Sequence, residues 1–406
     1  MTHVRKMIGI IGMFVLTILF ISACGAGNGE NGGDTSPPAT TPAPAITATP
    51  TPAPAAPTAP ESYHFEPIPA VFHEAVVVGY DGLWPLNGIL SVPSFAMAQA
   101  PVPGVIIVQG SGPSDMDGTL LDSHIYRDMA ELLSANGVAV LRNEKRSYTH
   151  ANALNAMAMW DLTAFGSFTV WEEAIEDALL GFELLLTDPR IDPTRIYLLG
   201  HSLGATLAPR IQLAALEQGL EFAGLILMAA TPREFTEVML EQQDASIYYS
   251  RIFVETLEGD EYIQGQAQIA SAQAWRDALA HYAPQIWDTP AEEAKLLFWA
   301  GASFYYFQDL ASPNFAEAAA QINTSMLVMQ GERDFQVRAD RCFPLIQEIL
   351  SGRDNVTFLL YEDLNHAFMP STATNFTEHA AERAFALPYN VAQQPMRDII
   401  DWIHTR

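Results

Sequence analysis

Arg195-Ile-Tyr-Leu-Leu199-Gly200-His201-Ser202-Leu203-Gly204 is the stretch whose reading decides the fold. A short apolar run enters a Gly-x-Ser-x-Gly turn, and the residues that follow, as far as about Gly219, have helical character. So tight a strand–turn–helix junction strains the backbone at the serine and leaves room only for small neighbours, a demand that Gly200 and Gly204 meet. It also puts the serine at a helix N-terminus, where free backbone N–H groups favour negative charge. By itself the pentapeptide is equally compatible with a glycine-flanked turn of no chemical consequence. The surrounding pattern has to decide between the two.

Working outward, Phe72–Tyr80 and Leu86–Val92 read as two strands joined by a turn at Asp81-Gly82, and Gly104–Val108 as a short, wholly apolar strand. Strands then alternate with helices. Asp122–Asn136 is expected to be helical and to stop at Gly137, followed by a strand over Val138–Arg142 and a helix over Val170–Thr187. After the serine come strands at Leu225–Ala229 and Met326–Met329, a helix over Asp340–Leu350 and a last strand at Val356–Tyr361. This alternation predicts an α/β fold with a mostly parallel central sheet and helices on both faces. The pattern stops between residues 231 and 324, a helix-like, aromatic and acidic stretch carrying Tyr248, Tyr249, Trp275, Trp287, Trp299, Tyr305 and Tyr306. It is expected to be a helical cap inserted after the sixth main strand, dividing the core into 61–230 and 325–406. Its aromatics either line a pocket or, as is more usual at helical spacing, pack against one another.

A serine hydroxyl needs an adjacent base, and the base needs an acid that fixes its tautomer and balances its charge. Both are expected after the serine, from loops following late strands. Gly331-Glu-Arg-Asp334-Phe-Gln-Val337 follows the strand ending at Gln330 and offers Asp334, with Glu332 in reserve. Leu364-Asn365-His366-Ala367-Phe368 follows the last strand, and His366 is the histidine in the required place; Asp363 beside it is expected to end the strand. Acyl transfer further needs two backbone donors for an oxyanion. Leu203 N–H is the first candidate. Ser111 N–H, in Gln109-Gly110-Ser111-Gly112-Pro113, is the second, with Gly112 as the alternative; Pro113 has no N–H.

These segments, together with Gln109–Thr119 and Leu141-Arg-Asn-Glu-Lys-Arg146, resemble secreted or lipoprotein α/β-hydrolases of the dienelactone-hydrolase-like, EstD-type esterase group over residues 70–406. The resemblance implies an α/β-hydrolase fold and metal-free hydrolysis of carboxylic esters, often of short acyl chains, through Ser202, Asp334 and His366. Two positions depart from the family pattern: Gln109 stands where a histidine is common, and Met116 where an arginine is usual. An acyl thioesterase, a serine peptidase and a non-catalytic binding protein on the same scaffold are the competing readings. Asp115, Asp117, Lys145 and Arg146 are either a charged cluster that shapes the loop or solvated loop charges. The sequence has no metal-binding or nucleotide-binding motif, so neither a metal nor another cofactor is expected.

The N-terminus reads as an export signal: Arg5 and Lys6 precede the uncharged stretch Met7–Ile21. Ile21-Ser-Ala-Cys24-Gly25 resembles a lipobox, so residues 1–23 are expected to be cleaved and Cys24 lipidated, tethering the protein to a membrane on its extracytoplasmic side. Residues 24–60 are Gly/Asn-rich and then Pro/Thr/Ala-rich, a linker that reaches roughly 100 Å when fully extended. A net charge of −27, from 20 Lys and Arg against 47 Asp and Glu, argues against nucleic acid or an anionic membrane surface as a partner; a small ester is the partner that the hydrolase resemblance implies. The chain has two cysteines, and a lipidated Cys24 leaves Cys342 without an intrachain partner.

Overall fold

The computed structural model describes residues 70–80, 84–120, 123–375, 378 and 390–406. The expected signal segment, Cys24, the expected linker, the turn expected at Asp81-Gly82 and Asp122 lie outside the described residues. The strands are β1 (Val71–Val78), β2 (Leu86–Pro93), β3 (Val102–Val108), β4 (Thr119–Leu120), β5 (Ser123–His124), β6 (Ala139–Asn143), β7 (Ile191–His201), β8 (Gly224–Met228), β9 (Phe298–Trp299), β10 (Ala302–Ser303), β11 (Met326–Gly331) and β12 (Val356–Tyr361). Eight form one sheet in the order β1-β2-β6-β3-β7-β8-β11-β12, while β4/β5 and β9/β10 are two-stranded ribbons. β2 runs antiparallel to both neighbours, and all pairs from β6 to β12 are parallel.

The central strands are apolar without interruption because both faces of the sheet are covered. Side chains alternate across it: Ile106, Ile196 and Leu198 enter one core cluster, Val105, Ile107, Tyr197 and Leu199 the other. Helices Glu176–Leu186 and Leu203–Glu217 pack in the first cluster, and helices Ile125–Ala135 and Gln393–His404 in the second. The register brings the carboxyl ends of the parallel strands to one edge, with Val108 beside Gly200, Gly200 beside Leu227, Met228 beside Met329 and Gly331 beside Tyr361. Loops leaving that edge are therefore neighbours, whatever their distance in sequence.

Several boundaries differ from the sequence reading. β7 begins at Ile191, five residues before the apolar run at Ile196, because Val102 pairs with Ile191 across a bulge. The helix expected from Val170 opens with a π-helical turn, Trp171–Ile175. Short helices at Arg146–Thr149, Ala151–Trp160 and Leu162–Gly166, and the C-terminal helix, have no counterpart in the sequence reading. Between β8 and β11 the chain forms helices at Phe235–Val254, Gly259–Asp288, Ala291–Ala294, Phe304–Leu310 and Phe315–Ala320, plus the β9/β10 ribbon. Its aromatics divide: Trp299, Phe304, Tyr306 and Phe307 are buried against the core, whereas Tyr248 and Trp287 are exposed. The buried set packs edge to face, Trp299 on Phe307 at 4.9 Å. Among the described residues no helix is long and apolar enough to cross a membrane.

Candidate active site

Ser202 follows β7 directly and has φ 56° and ψ −117° at the N-cap of helix Leu203–Glu217. A non-glycine residue held at such angles stores strain, which persists only where surrounding packing enforces it. The flanking glycines do so. A Cβ on Gly200 would lie 2.4 Å from the Gly204 carbonyl oxygen, and one on Gly204 would lie 2.2 Å from that of Val108. The start of the helix thus rests against the end of β3, where the Gln109–Pro113 loop begins. That loop lies beside the serine: a Cβ on Gly110 would be 3.2 Å from Ser202 Cβ and 3.6 Å from Oγ.

Asp334 and His366 come together after β11 and β12. His366 Nδ1 donates to Asp334 Oδ2 at 2.7 Å, with Asp334 3% and His366 8% exposed. Desolvating a carboxylate is costly unless donors replace the lost water. Here Gln336 N–H and Val337 N–H each give Oδ1 a bond at 2.8 Å, and Gln330 Nε2 gives Oδ2 one at 2.9 Å. With Nδ1 carrying the proton toward Asp334, the other ring nitrogen of His366 is the basic one. Glu332, the reserve acid, is exposed, as is Asp363. No hydrogen bond joins Ser202 Oγ to His366 among the described residues.

The backbone donors have a corresponding geometry. The amides of Leu203, Ser111 and Gly112 carry no hydrogen bond among the described residues. Leu203 owes this to being the first residue of its helix. Gly112 takes φ 85°, the left-handed turn that only glycine enters freely, and this shapes the loop around Ser111.

Two residues to which the sequence reading gave no role, Tyr126 and His201, connect these loops. Gly110 N–H donates to Tyr126 Oη at 2.9 Å, Tyr126 Oη lies 3.2 Å from His201 Nδ1, and His201 Nε2 lies 2.9 Å from the His366 carbonyl oxygen. A carbonyl only accepts, so His201 Nε2 carries the proton and Nδ1 accepts from the tyrosine hydroxyl. The chain of donors runs in one direction, from the glycine loop to the histidine loop. Burial keeps His201 neutral by pushing its pKa down to about 3. The same burial raises that of the Tyr126 hydroxyl, which therefore stays protonated and able to donate. A signal existed in the sequence: Tyr126 lies on the apolar face of its helix, and His201 places a ring-nitrogen donor and acceptor inside the glycine-flanked turn.

The four charged residues near the loop are held in two separate networks, Asp115 and Asp117 in one and Lys145 and Arg146 in the other. Asp115 Oδ1 accepts from the Asp117 and Thr119 amides at 3.0 Å each, and Asp117 pairs with Arg142 at 3.0 Å. Lys145 and Arg146 are buried; Arg146 meets Asp177 at 2.6 Å and Glu176 at 2.5 Å. Desolvation pushes the Asp177 carboxyl up to about 7 despite Arg146. Gln109, in place of a histidine, donates through Nε2 to the carbonyls of Asp115 and Asn143 at 3.0 and 2.7 Å, bracing the loop as a hydrogen-bonding spacer. Among the described residues, no group of three or more His, Cys, Asp or Glu is arranged to hold a metal ion.

Comparison with known proteins gives consistent matches. The profile of the "Alpha/beta hydrolase family" matches residues 105–378. Esterase EstD of Thermotoga maritima is 32% identical over 281 residues, spanning 69% of this chain and 58% of its own length. Among solved structures, Est1E from Butyrivibrio proteoclasticus aligns over 82% of this chain and 99% of its own at 15% identity, with a TM-score of 0.47. A hyperthermophilic esterase from Pyrobaculum calidifontis aligns over 84% and 87% at 17% identity, with a TM-score of 0.44.

Proposed function

The chain belongs to the alpha/beta hydrolase family, and on that premise we propose that it is a serine esterase acting on carboxylic esters of short to medium acyl chain. The observation that carries the reading is the buried 2.7 Å Asp334–His366 pair facing the same sheet edge as a serine held at φ 56°. Similarity to Esterase EstD supports the ester as substrate.

In this reading Ser202 Oγ attacks the ester carbonyl carbon while His366 Nε2 removes its proton. Asp334 holds the imidazole in the Nδ1–H tautomer and balances the imidazolium. The Leu203 and Ser111 N–H groups take the oxyanion of the tetrahedral intermediate. Collapse breaks the C–O bond, His366 returns the proton to the departing alkoxide, and an acyl-Ser202 ester remains. Water activated by the same histidine then releases the acid and regenerates the serine. No metal or other cofactor takes part. The helices between β8 and β11 act as a cap over the strand ends, and the N-terminus directs export and lipidation at Cys24, so that residues 24–60 leash the catalytic domain to a membrane.

The test is hydrolysis of a chromogenic acyl-ester series by the purified full-length protein beside Ser202→Ala. Wild type is expected to exceed the variant by at least about 10³-fold in kcat on short chains. Equal rates on every ester overturn the reading, and turnover confined to thioesters or peptides reassigns the substrate. The anchor has its own measurement. Labelled palmitate should enter the wild-type protein in bacterial cells and not Cys24→Ala, whereas equal labelling of both removes the lipid.

A further inference from the structure

Gly110 is held at both ends. While its N–H is bonded to Tyr126, its carbonyl oxygen accepts from Lys145 Nζ at 2.9 Å. A peptide unit is planar and trans, so the Gly110 carbonyl and the Ser111 N–H lie in one rigid plane and point in opposite directions. Whatever fixes the carbonyl fixes the direction of that N–H. A charged donor at the oxygen also draws electron density across the amide and strengthens the N–H as a donor in its turn.

Lys145 is itself immobilised. It is 5% exposed and pairs with Glu173 Oε1 at 3.2 Å; Glu173, 3% exposed, also accepts from Ser147 Oγ at 2.9 Å and Tyr306 Oη at 2.8 Å. Glu173 comes from the π-helical turn, and Tyr306 from helix Phe304–Leu310 of the insertion. A cavity of about 20 Å³ borders Lys145, lined by Gln109, Asn143, Glu173 and Asp177. That is the room of roughly one water molecule.

We propose that Lys145 is a positioning residue of the oxyanion site: its ammonium aims and polarises the Gly110–Ser111 peptide from beneath, while Glu173 and Tyr306 hold the ammonium in place from the insertion. Lys145 acts through the peptide and touches no substrate. The seating of the insertion and the quality of the oxyanion donor are thereby one structural variable. This rests on the reading of Ser202 as nucleophile and Ser111 N–H as donor.

The test uses the full-length protein with Lys145→Met and with the double variant Lys145→Met/Glu173→Gln, which leaves no buried carboxylate without its cation. The double variant should fold, with kcat on a short-chain chromogenic ester lowered roughly 10- to 100-fold and KM within about twofold. Affinity for a boronic acid that forms a tetrahedral adduct on serine should fall by a similar factor. The Ser111 amide proton resonance should move upfield, toward a less polarised amide, a readout that needs no turnover. A folded double variant with kcat within about twofold of wild type overturns the proposal, as does an unmoved Ser111 resonance or a loss confined to KM. If wild type and Ser202→Ala do not differ on any ester, the esterase reading itself fails and takes this proposal with it. Full activity in the Lys145 variants beside an inactive Ser202→Ala sinks this proposal alone.

Discussion

Tyr126 shows what a single hydroxyl can hold together. It accepts from the Gly110 amide and donates to His201 Nδ1, and His201 then donates to the main chain of His366. Removing the oxygen in Tyr126→Phe leaves a buried amide and a buried imidazole nitrogen unpaired, each costing about 1–3 kcal/mol. The phenyl ring still fills the same space, so the fold should survive. kcat should fall by roughly tenfold or more with KM little changed. Because His201 stays neutral down to about pH 3, the substitution should lower the kcat–pH profile between about pH 5 and 9 without reshaping it. Steady-state kinetics across that range check this, and a new acid limb would mean that His201 titrates in the working enzyme. Sequence reasoning selected Ser202, Asp334 and His366 as candidates because each follows a strand end. It passed over Tyr126 because a tyrosine on the apolar face of a helix has the pattern of an ordinary core residue.

Elements matter here chiefly where two of them touch. Helix Leu203–Glu217 rests on the end of β3 through Gly204, where an added Cβ would lie 2.2 Å from the Val108 carbonyl and 2.7 Å from that of Gln109. Both obstacles are backbone, so neither can rotate away. Gly204→Ala should therefore cost about 3 kcal/mol, at the upper end of overpacking penalties, and should displace the serine turn from the glycine loop. The expected result is a melting temperature lower by several degrees together with a kcat loss larger than instability alone explains. Differential scanning calorimetry and kinetics well below the transition separate the two. A variant of wild-type stability and rate would mean that this junction tolerates separation. The π-helical turn Trp171–Ile175 is the opposite case for legibility: helical spacing was readable across it, but the extra residue that turns Glu173 inward toward Lys145 leaves no mark on an apolar pattern.

Across the whole molecule, charge is unevenly placed. The net −27 belongs to the chain, yet beneath the glycine loop Lys145 and Arg146 are buried among Glu173, Glu176 and Asp177, three carboxylates against two cations. Asp177 relieves the excess by holding a proton up to about pH 7. Its unfolded counterpart ionises near pH 4, so the proton-linked stabilisation is complete below about pH 4 and is lost as pH rises through about 7. Asp177→Asn cannot titrate. Urea midpoints at about pH 5 and pH 8 should therefore fall more for wild type than for Asp177→Asn, and parallel changes would show that Asp177 is ionised at both. The sequence by itself determined the eight strands of the main sheet, the principal helices between them and the candidate chemical residues beyond the strand ends. Those are local matters: side-chain periodicity, small residues at a strained turn, and the place of a loop after a strand are all written in neighbouring positions. Tertiary structure alone decided which distant groups share a proton or an orientation. The Gly110–Tyr126–His201–His366 chain and the Tyr306–Glu173–Lys145–Gly110 network join segments far apart in sequence. Such contacts exist only once parallel strands in register bring their loops to one edge and exclude water between them.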